Sequence, residues 1–337
     1  MAQGILLVGG LGTRLLPLTR TVPKPMLPIA GLPITEHQLM MARRANITSI
    51  VLATSYLAEV FVPYFGDGSK WGIDLQYAVE TSPLGTGGAI RNAAQLLDGD
   101  QSIIIMNGDV LSSHDLVRQI SMHESENADV TLHLTHVDDA RAFGCVPTDE
   151  QNRVLAFLEK MDNPVTNNIN AGCYVFHPRV LNSIAANTVV SIEREIFPQL
   201  VASGKKVLGF GDDSFWLDVG KPTALLQGSI AIVEGRANGQ ALDRVALAHR
   251  SREYVALEGA HISPSAHISG GSAIGRHARV GAGAKINGSI IGDGAIISDG
   301  AQLTRCFVAD GVQVEGAEKL HDCFVGIEGI QPLLLEK

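Results

Sequence analysis

The sequence predicts an α/β sandwich built on a mostly parallel sheet, followed by a parallel β-helix. Two observations carry this. Over roughly the first 230 residues, short β-branched runs alternate with amphipathic stretches, a pattern that places helices against a parallel sheet. After residue 260, aliphatic residues recur at every sixth position among glycines and small residues. A chain of 337 residues also exceeds the usual size of one domain.

Taken in order, the strand candidates are 4–8, 49–53, 75–78, 102–106, 130–134, 154–157 and 173–176. Helix candidates between and after them include 36–45, 116–124 and 223–234. In open parallel sheets, ligands gather beyond the carboxyl ends of the strands, at the topological switch point. The loop after Val8 and the turn Asn107-Gly108-Asp109 occupy that position.

The second half has another grammar. Ile262, Ile268, Ile274, Val280 and Ile286 recur every six residues, and the register then slips by one to Ile291, Ile297 and Leu303. Val308, Val314 and Leu320 follow, then Val325. Such hexads give one inward side chain per short face of a parallel β-helix. A flexible glycine-rich tail would not hold an aliphatic residue in phase so long. The predicted division is therefore a catalytic domain over 1–235, a linker over 236–260 and the β-helix over 261–330. These hexads resemble those of left-handed β-helices.

Composition narrows the functional classes. The formal net charge is −9, which disfavours a polyanion-binding surface as the main function and predicts no nucleic-acid partner. No run of 18 apolar residues occurs, and MAQGILLVGG lacks the basic and small-residue features of an export signal, so no membrane partner is expected. The four cysteines are scattered without a CxxC pair, which favours reduced thiols in a cytoplasmic protein over disulfides or zinc.

Residues 8–14 read VGGLGTR. The loop lacks the GxxxxGK[ST] of a Walker loop and the third glycine of a dinucleotide fingerprint. Its backbone N–H groups at Gly9, Gly10, Gly12 and Thr13 can cradle an anion, and Arg14 adds a bidentate charge. Lys24 follows between Pro23 and Pro25, which limit local freedom. A rigidly placed ammonium beside a phosphate loop suits charge that develops in a transition state. Arg20 completes a local basic cluster.

The segment VGGLGTRLLPLTRTVPKPMLPIAGLP closely resembles the opening signature of the sugar-1-phosphate nucleotidylyltransferases. The resemblance continues through ETSPLGTGGAI (80–90), MNGDV (106–110), FLEK (157–160), INAGCYVF (169–176) and FWLDVGKP (215–222). It implies a Rossmann-like nucleotidyltransferase sandwich to which a β-helix is commonly appended. The implied reaction is NTP plus sugar-1-phosphate giving NDP-sugar and pyrophosphate. Within the family, LVGG, SIEREIFP (191–198) and WLDVGKP look most like bacterial mannose-1-phosphate guanylyltransferases, which implies GTP, mannose-1-phosphate and GDP-mannose.

The resemblance also implies roles. Asp109 and Asp218 match the family's metal-binding aspartates, with Mg²⁺ as the metal, which is commonly held by a few carboxylates, waters and substrate phosphates. Arg14 would hold the β- and γ-phosphates, and Lys24 would bridge toward the α-phosphate and the attacking group. In the run from Glu80 to Gly88, Gly85 and Thr86 lie on backbone able to approach a base. Glu80 can accept from the N1–H and exocyclic amine of guanine. Gly144, Glu159, Lys160 and Asn170 fall on the sugar-phosphate side, where Glu159 would take sugar hydroxyls and Lys160 the phosphate. Met161 stands where the family usually has proline.

His114, His123, His133 and His136 show no metal spacing. His261, His267, His277 and His321 lie on the hexads and raise acyl transfer as a different activity, although no acceptor site is discernible. Homo-oligomerisation or regulation is the expected role of the β-helix. Two alternatives remain at the level of sequence: a thymidylyl- or uridylyltransferase acting on glucose-1-phosphate, and a catalytically silent paralogue that binds a sugar nucleotide.

Overall fold

The computed structural model describes residues 2–10, 12–20, 22–55, 58–316 and 318–333. Its contacts divide into two compact units that interleave along the chain. The first comprises Met1–Leu11, Thr21–Lys24 and Gln38–Trp216; the second comprises Gly12–Arg20, Pro25–His37 and Leu217–Lys337.

The first unit is built on a nine-stranded sheet. Its main strands are β1 (Gln3–Leu7), β2 (Ser49–Thr54), β3 (Asp74–Val79), β4 (Ile103–Asn107), β5 (Val130–His136), β6 (Asn168–Phe176) and β7 (Val207–Gly211). They lie in the order β3–β2–β1–β4–β6–β5–β7. β3, β2, β1 and β4 run parallel, as do β5 and β7, while β6 is antiparallel to both neighbours. The run Ile103-Ile104-Ile105-Met106 is buried throughout, as a parallel strand covered on both faces should be. Helices α1 (Ile34–Arg44), α2 (Gly85–Ala94) and α3 (Leu116–Ser125) alternate with these strands. Asp115 caps α3 by accepting the Arg118 N–H. Ile90 and Ala93 of α2 join Ile5, Val51 and Ile105 in one core cluster.

One expected strand does not form. Residues 153 and 154 make only isolated bridges, Arg153 to Leu208 and Val154 to Thr148. The Leu155 N–H donates to the Pro147 carbonyl, but Pro147 has no N–H to return a bond, so the ladder stops. The run still packs in part, with Val154 and Phe157 buried and Leu155 exposed.

In the second unit, parallel strands stack into a β-helix with three faces. One face carries Tyr254–Leu257, Ser272–Ile274, Ile290–Ile291, Phe307–Val308 and Cys323–Gly326. A second carries His261–Ile262, Arg279–Val280, Ile296–Ile297 and Gln313–Val314. The third carries His267–Ser269, Lys285–Asn287, Gln302–Thr304 and Lys319–His321. Tyr254 pairs with Ser272, a coil of three hexads; Ala273 then pairs with Ile290, one residue fewer. That deletion is the slip visible in the sequence. Ile274, Ile291, Val308 and Val325 stack inside. Residues 236–260 hold a short helix (Gln240–Arg244) and strands Leu247–Arg250 and Tyr254–Leu257, the last joining the β-helix.

Helix α4 (Pro222–Val233) starts with proline at its first turn, where no N–H is needed. It belongs to this unit. A Cβ on Gly271 would lie 2.8 Å from the Ile230 side chain, and the Ala30 N–H donates to Ser229 Oγ.

Candidate active site

In the first unit, the ends of β1, β2 and β3 open into a cleft of about 550 Å³. Leu7, Gly9 and Gly10 border it from β1, Ala53, Thr54 and Ser55 from β2, and residues 80–83 from β3. Gly85, Thr86 and Ala89 of α2 close another side. The position agrees with the carboxyl-end rule for parallel sheets. Gly9 lies close to β2: a Cβ there would sit 2.6 Å from Ser55 Oγ, which would have to turn away.

Glu80 is the ionisable residue among those described as lining this cleft. Its Oε2 accepts the Leu84 N–H at 3.3 Å, while Oε1 is buried with no protein partner among the described residues. Burial raises its pKa above the ordinary carboxylate range, and the Leu84 contact opposes this only in part. A buried acceptor without a partner suits a ligand that brings its own donors.

The glycines of PLGTGG also make a close contact within the protein. Residues 188–192 cross over the start of α2 as a strap. A Cβ on Gly85 would meet the Val190 carbonyl at 2.7 Å, and one on Gly88 would meet the Thr188 carbonyl at 2.5 Å. Gly87 donates its N–H to the Val190 carbonyl. Thr86 accepts the Ile192 N–H at 2.9 Å and donates to Glu193 Oε2 at 2.7 Å. Gly85 and Thr86 still line the cleft, but the strap imposes the close approach. Glu193 was not singled out from sequence, although it lies inside SIEREIFP.

Lys24 and Asp109 meet directly, Nζ to Oδ2 at 2.7 Å, with Lys24 nearly buried and the Asp109 side chain 39% exposed. Gly108 brings the Asp109 turn against β1: its N–H donates to the Leu7 carbonyl, and a Cβ would lie 2.4 Å from that oxygen. On the sugar side of the sequence reading, Gly144 pairs with Glu159 across two short antiparallel strands. A Cβ on Gly144 would meet Glu159 Oε2 at 2.8 Å, so glycine makes room for that carboxylate. Burial raises the Glu159 pKa, opposed by neighbouring Lys160, whose Nζ lies 3.8 Å away. Lys160 has φ 51°, and its N–H donates to the Phe143 carbonyl. Asn170 Nδ2 donates to Tyr174 Oη, and its Oδ1 accepts the Gly172 N–H. Trp216 packs edge-on against Phe143 and donates to the Ala171 carbonyl.

The second unit holds Gly12, Thr13, Arg14 and Asp218. Gly12 adopts a left-handed conformation at the start of the short helix Thr13–Leu15, and its carbonyl accepts from Leu15 N–H and Thr19 Oγ1. Leu15 is buried and Arg14 exposed. Arg14 and Asp218 border Gly220 together: a Cβ there would lie 3.2 Å from Asp218 Oδ2 and 3.5 Å from Arg14 Nη1. Arg20 is taken up by an ion pair with Glu328. Among the described residues, no group of three or more His, Cys, Asp and Glu could hold a metal. All four cysteines are free and buried. No helix among the described residues is long and apolar enough to cross a membrane.

A cleft at the carboxyl ends of parallel strands, bordered by glycines, is the arrangement of an α/β enzyme that binds its ligand there. The chain belongs to the nucleotidyl transferase family, whose model matches residues 3–235. It is 48% identical to the mannose-1-phosphate guanylyltransferase of Mycobacterium tuberculosis, over 85% of this chain and 78% of that protein. It is 36% identical to the mannose-1-phosphate guanyltransferase of Saccharomyces cerevisiae, over 71% of this chain and 66% of that one. Among solved structures it resembles HddC from Yersinia pseudotuberculosis complexed with GMP-PN. That match has a TM-score of 0.58 at 26% identity and covers 68% of this chain and 98% of that one.

Proposed function

We propose that this chain transfers a guanylyl group from GTP to mannose-1-phosphate, giving GDP-mannose and pyrophosphate. The observation that carries the reading is the 48% identity, over most of both chains, to a mannose-1-phosphate guanylyltransferase. The buried, unpartnered Glu80 Oε1 in the cleft supports the choice of base, because guanine offers two adjacent donors.

A phosphate oxygen of the sugar phosphate attacks the α-phosphorus in line, and pyrophosphate leaves. The nucleophile is already an anion, so the protein's work is positioning and charge neutralisation. In this reading Gly9, Gly10, Gly12 and Thr13 lie under the nucleotide, Arg14 steadies the departing pyrophosphate, and Lys24 bridges to the α-phosphate. Glu159 takes sugar hydroxyls, Lys160 the sugar's phosphate, and Gly144 and Asn170 shape that end.

Asp109 and Asp218 are assigned to Mg²⁺. The donor chemistry fits: carboxylate oxygens are what Mg²⁺ takes, and Asp109 stays partly exposed despite its contact with Lys24. When bound, the metal neutralises charge on the phosphates.

Pyrophosphate release from a panel of nucleotides and sugar phosphates tests the function. Fastest release from GTP with mannose-1-phosphate is expected. Preference for dTTP or UTP, or no release from any pair, would overturn the proposal.

A further inference from the structure

Gln38 is buried on α1, and its Nε2 donates to two carbonyls, Asn107 at 2.7 Å and Val110 at 2.8 Å. Those two carbonyls flank Gly108-Asp109, so a single NH₂ group spans the turn that presents Asp109. The amide orientation is fixed, because the reverse would set Oε1 against two carbonyl oxygens. Oε1 is itself buried with no protein partner among the described residues. Gln38 thus leaves an acceptor unsatisfied while both donors stay on the turn. On the far side, Tyr174 Oη donates to Asn107 Oδ1 and accepts from Asn170, which ties the same turn to a residue assigned to the sugar end.

We propose that Gln38 is a positioning residue for the transfer: it holds the turn from Asn107 to Val110 so that Asp109 keeps one carboxylate placement. The inference rests on the reading that Asp109 takes part in the reaction. Gly108 and Lys24 hold the turn at one amide and at one side chain; Gln38 fixes both of its ends.

Gln38→Met keeps much of the side-chain volume and removes both donors. Outer-sphere partners of this kind typically change activity about 10- to 100-fold. A loss of that size in kcat is expected, with KM for GTP and mannose-1-phosphate within about threefold of wild type, the pattern for a group that acts only in the transition state. Amide hydrogen exchange across 107–110 should quicken while the β-helix keeps its protection.

Gln38→Glu provides a second reading should the methionine variant fold poorly. Its carboxylate cannot donate, while its protonated form has one O–H and can restore one of the two bonds. The ratio of its kcat to that of wild type, at saturating GTP, should therefore rise as pH falls. Wild-type kcat in Gln38→Glu at the alkaline end of the range, with unchanged hydrogen exchange across 107–110, would overturn the inference. Asp109→Asn is run alongside. Near-normal turnover in that variant would sink the reading of Asp109. Its loss together with wild-type kcat in Gln38→Met would sink the inference about Gln38 alone.

Discussion

Glu80→Gln gives a sharp test of how the cleft selects its base. The Leu84 N–H needs one side-chain oxygen, and glutamine can still supply it. The remaining position then changes from a carboxylate oxygen to an NH₂ group. Facing guanine, a donor replaces an acceptor; facing a uracil or thymine carbonyl, the same donor finds a partner. A hydrogen bond to a charged group is worth about 1.5–3 kcal/mol, so kcat/KM for GTP should fall about 10- to 150-fold while that for UTP or dTTP holds or rises. Pyrophosphate release measured side by side with the three nucleotides reads this out. An unchanged GTP-to-UTP ratio would refute the assignment.

The pKa of Glu80 supplies an internal control. Because burial raises it, the carboxylate is lost as pH falls through a value above the ordinary range. KM for GTP should therefore rise on acidification earlier than a solvent-exposed glutamate would cause, and the glutamine variant should lack that limb. For stability the sign is opposite. A raised carboxyl pKa favours the folded state below the unfolded-state pKa, and that contribution is lost as pH rises through the folded one. Glu80→Gln should then leave the unfolding midpoint at neutral pH unchanged or slightly higher, separating lost recognition from lost fold.

Three further outcomes are expected. Gly144→Ala should raise KM for mannose-1-phosphate several-fold and leave KM for GTP unchanged in steady-state kinetics, because the added methyl meets Glu159 Oε2 at 2.8 Å and the Phe157 ring at 2.9 Å. Gly88→Ala should lower stability by about 1–3 kcal/mol in urea unfolding, since its Cβ would strike the Thr188 carbonyl and lift the strap. Truncation after residue 235 should reduce soluble yield, because Ile230 and Gly31 lose the β-helix residues they face, Gly271 and Leu257. An unchanged midpoint in the second case, or full solubility in the third, would contradict the packing described.

Much of this was legible before any coordinates. Ile103 to Met106 reads as a buried strand because every position is apolar, and the hexads read as stacked coils because their aliphatic residues stay in phase. The pairing of Lys24 with Asp109, 85 residues apart, was not legible in the sequence; the fold brings the two together. The PLGTGG glycines show where sequence reasoning stops. They mark a close approach, but the chain alone does not say that residues 188–192 make it. The same holds for 154–157, where a short apolar run suggested a strand that Pro147 interrupts from the neighbouring segment.

What the sequence by itself determined are the properties carried by local period: the parallel α/β layer, and the coil length with its one-residue slip. These are written within windows of a few residues. Only the tertiary structure decided which polar atoms were left without partners. Glu80 Oε1 and the two donors of Gln38 acquire meaning through what lies around them after folding. A hydrogen bond depends on distance and direction between atoms far apart in the chain, and no local pattern encodes it.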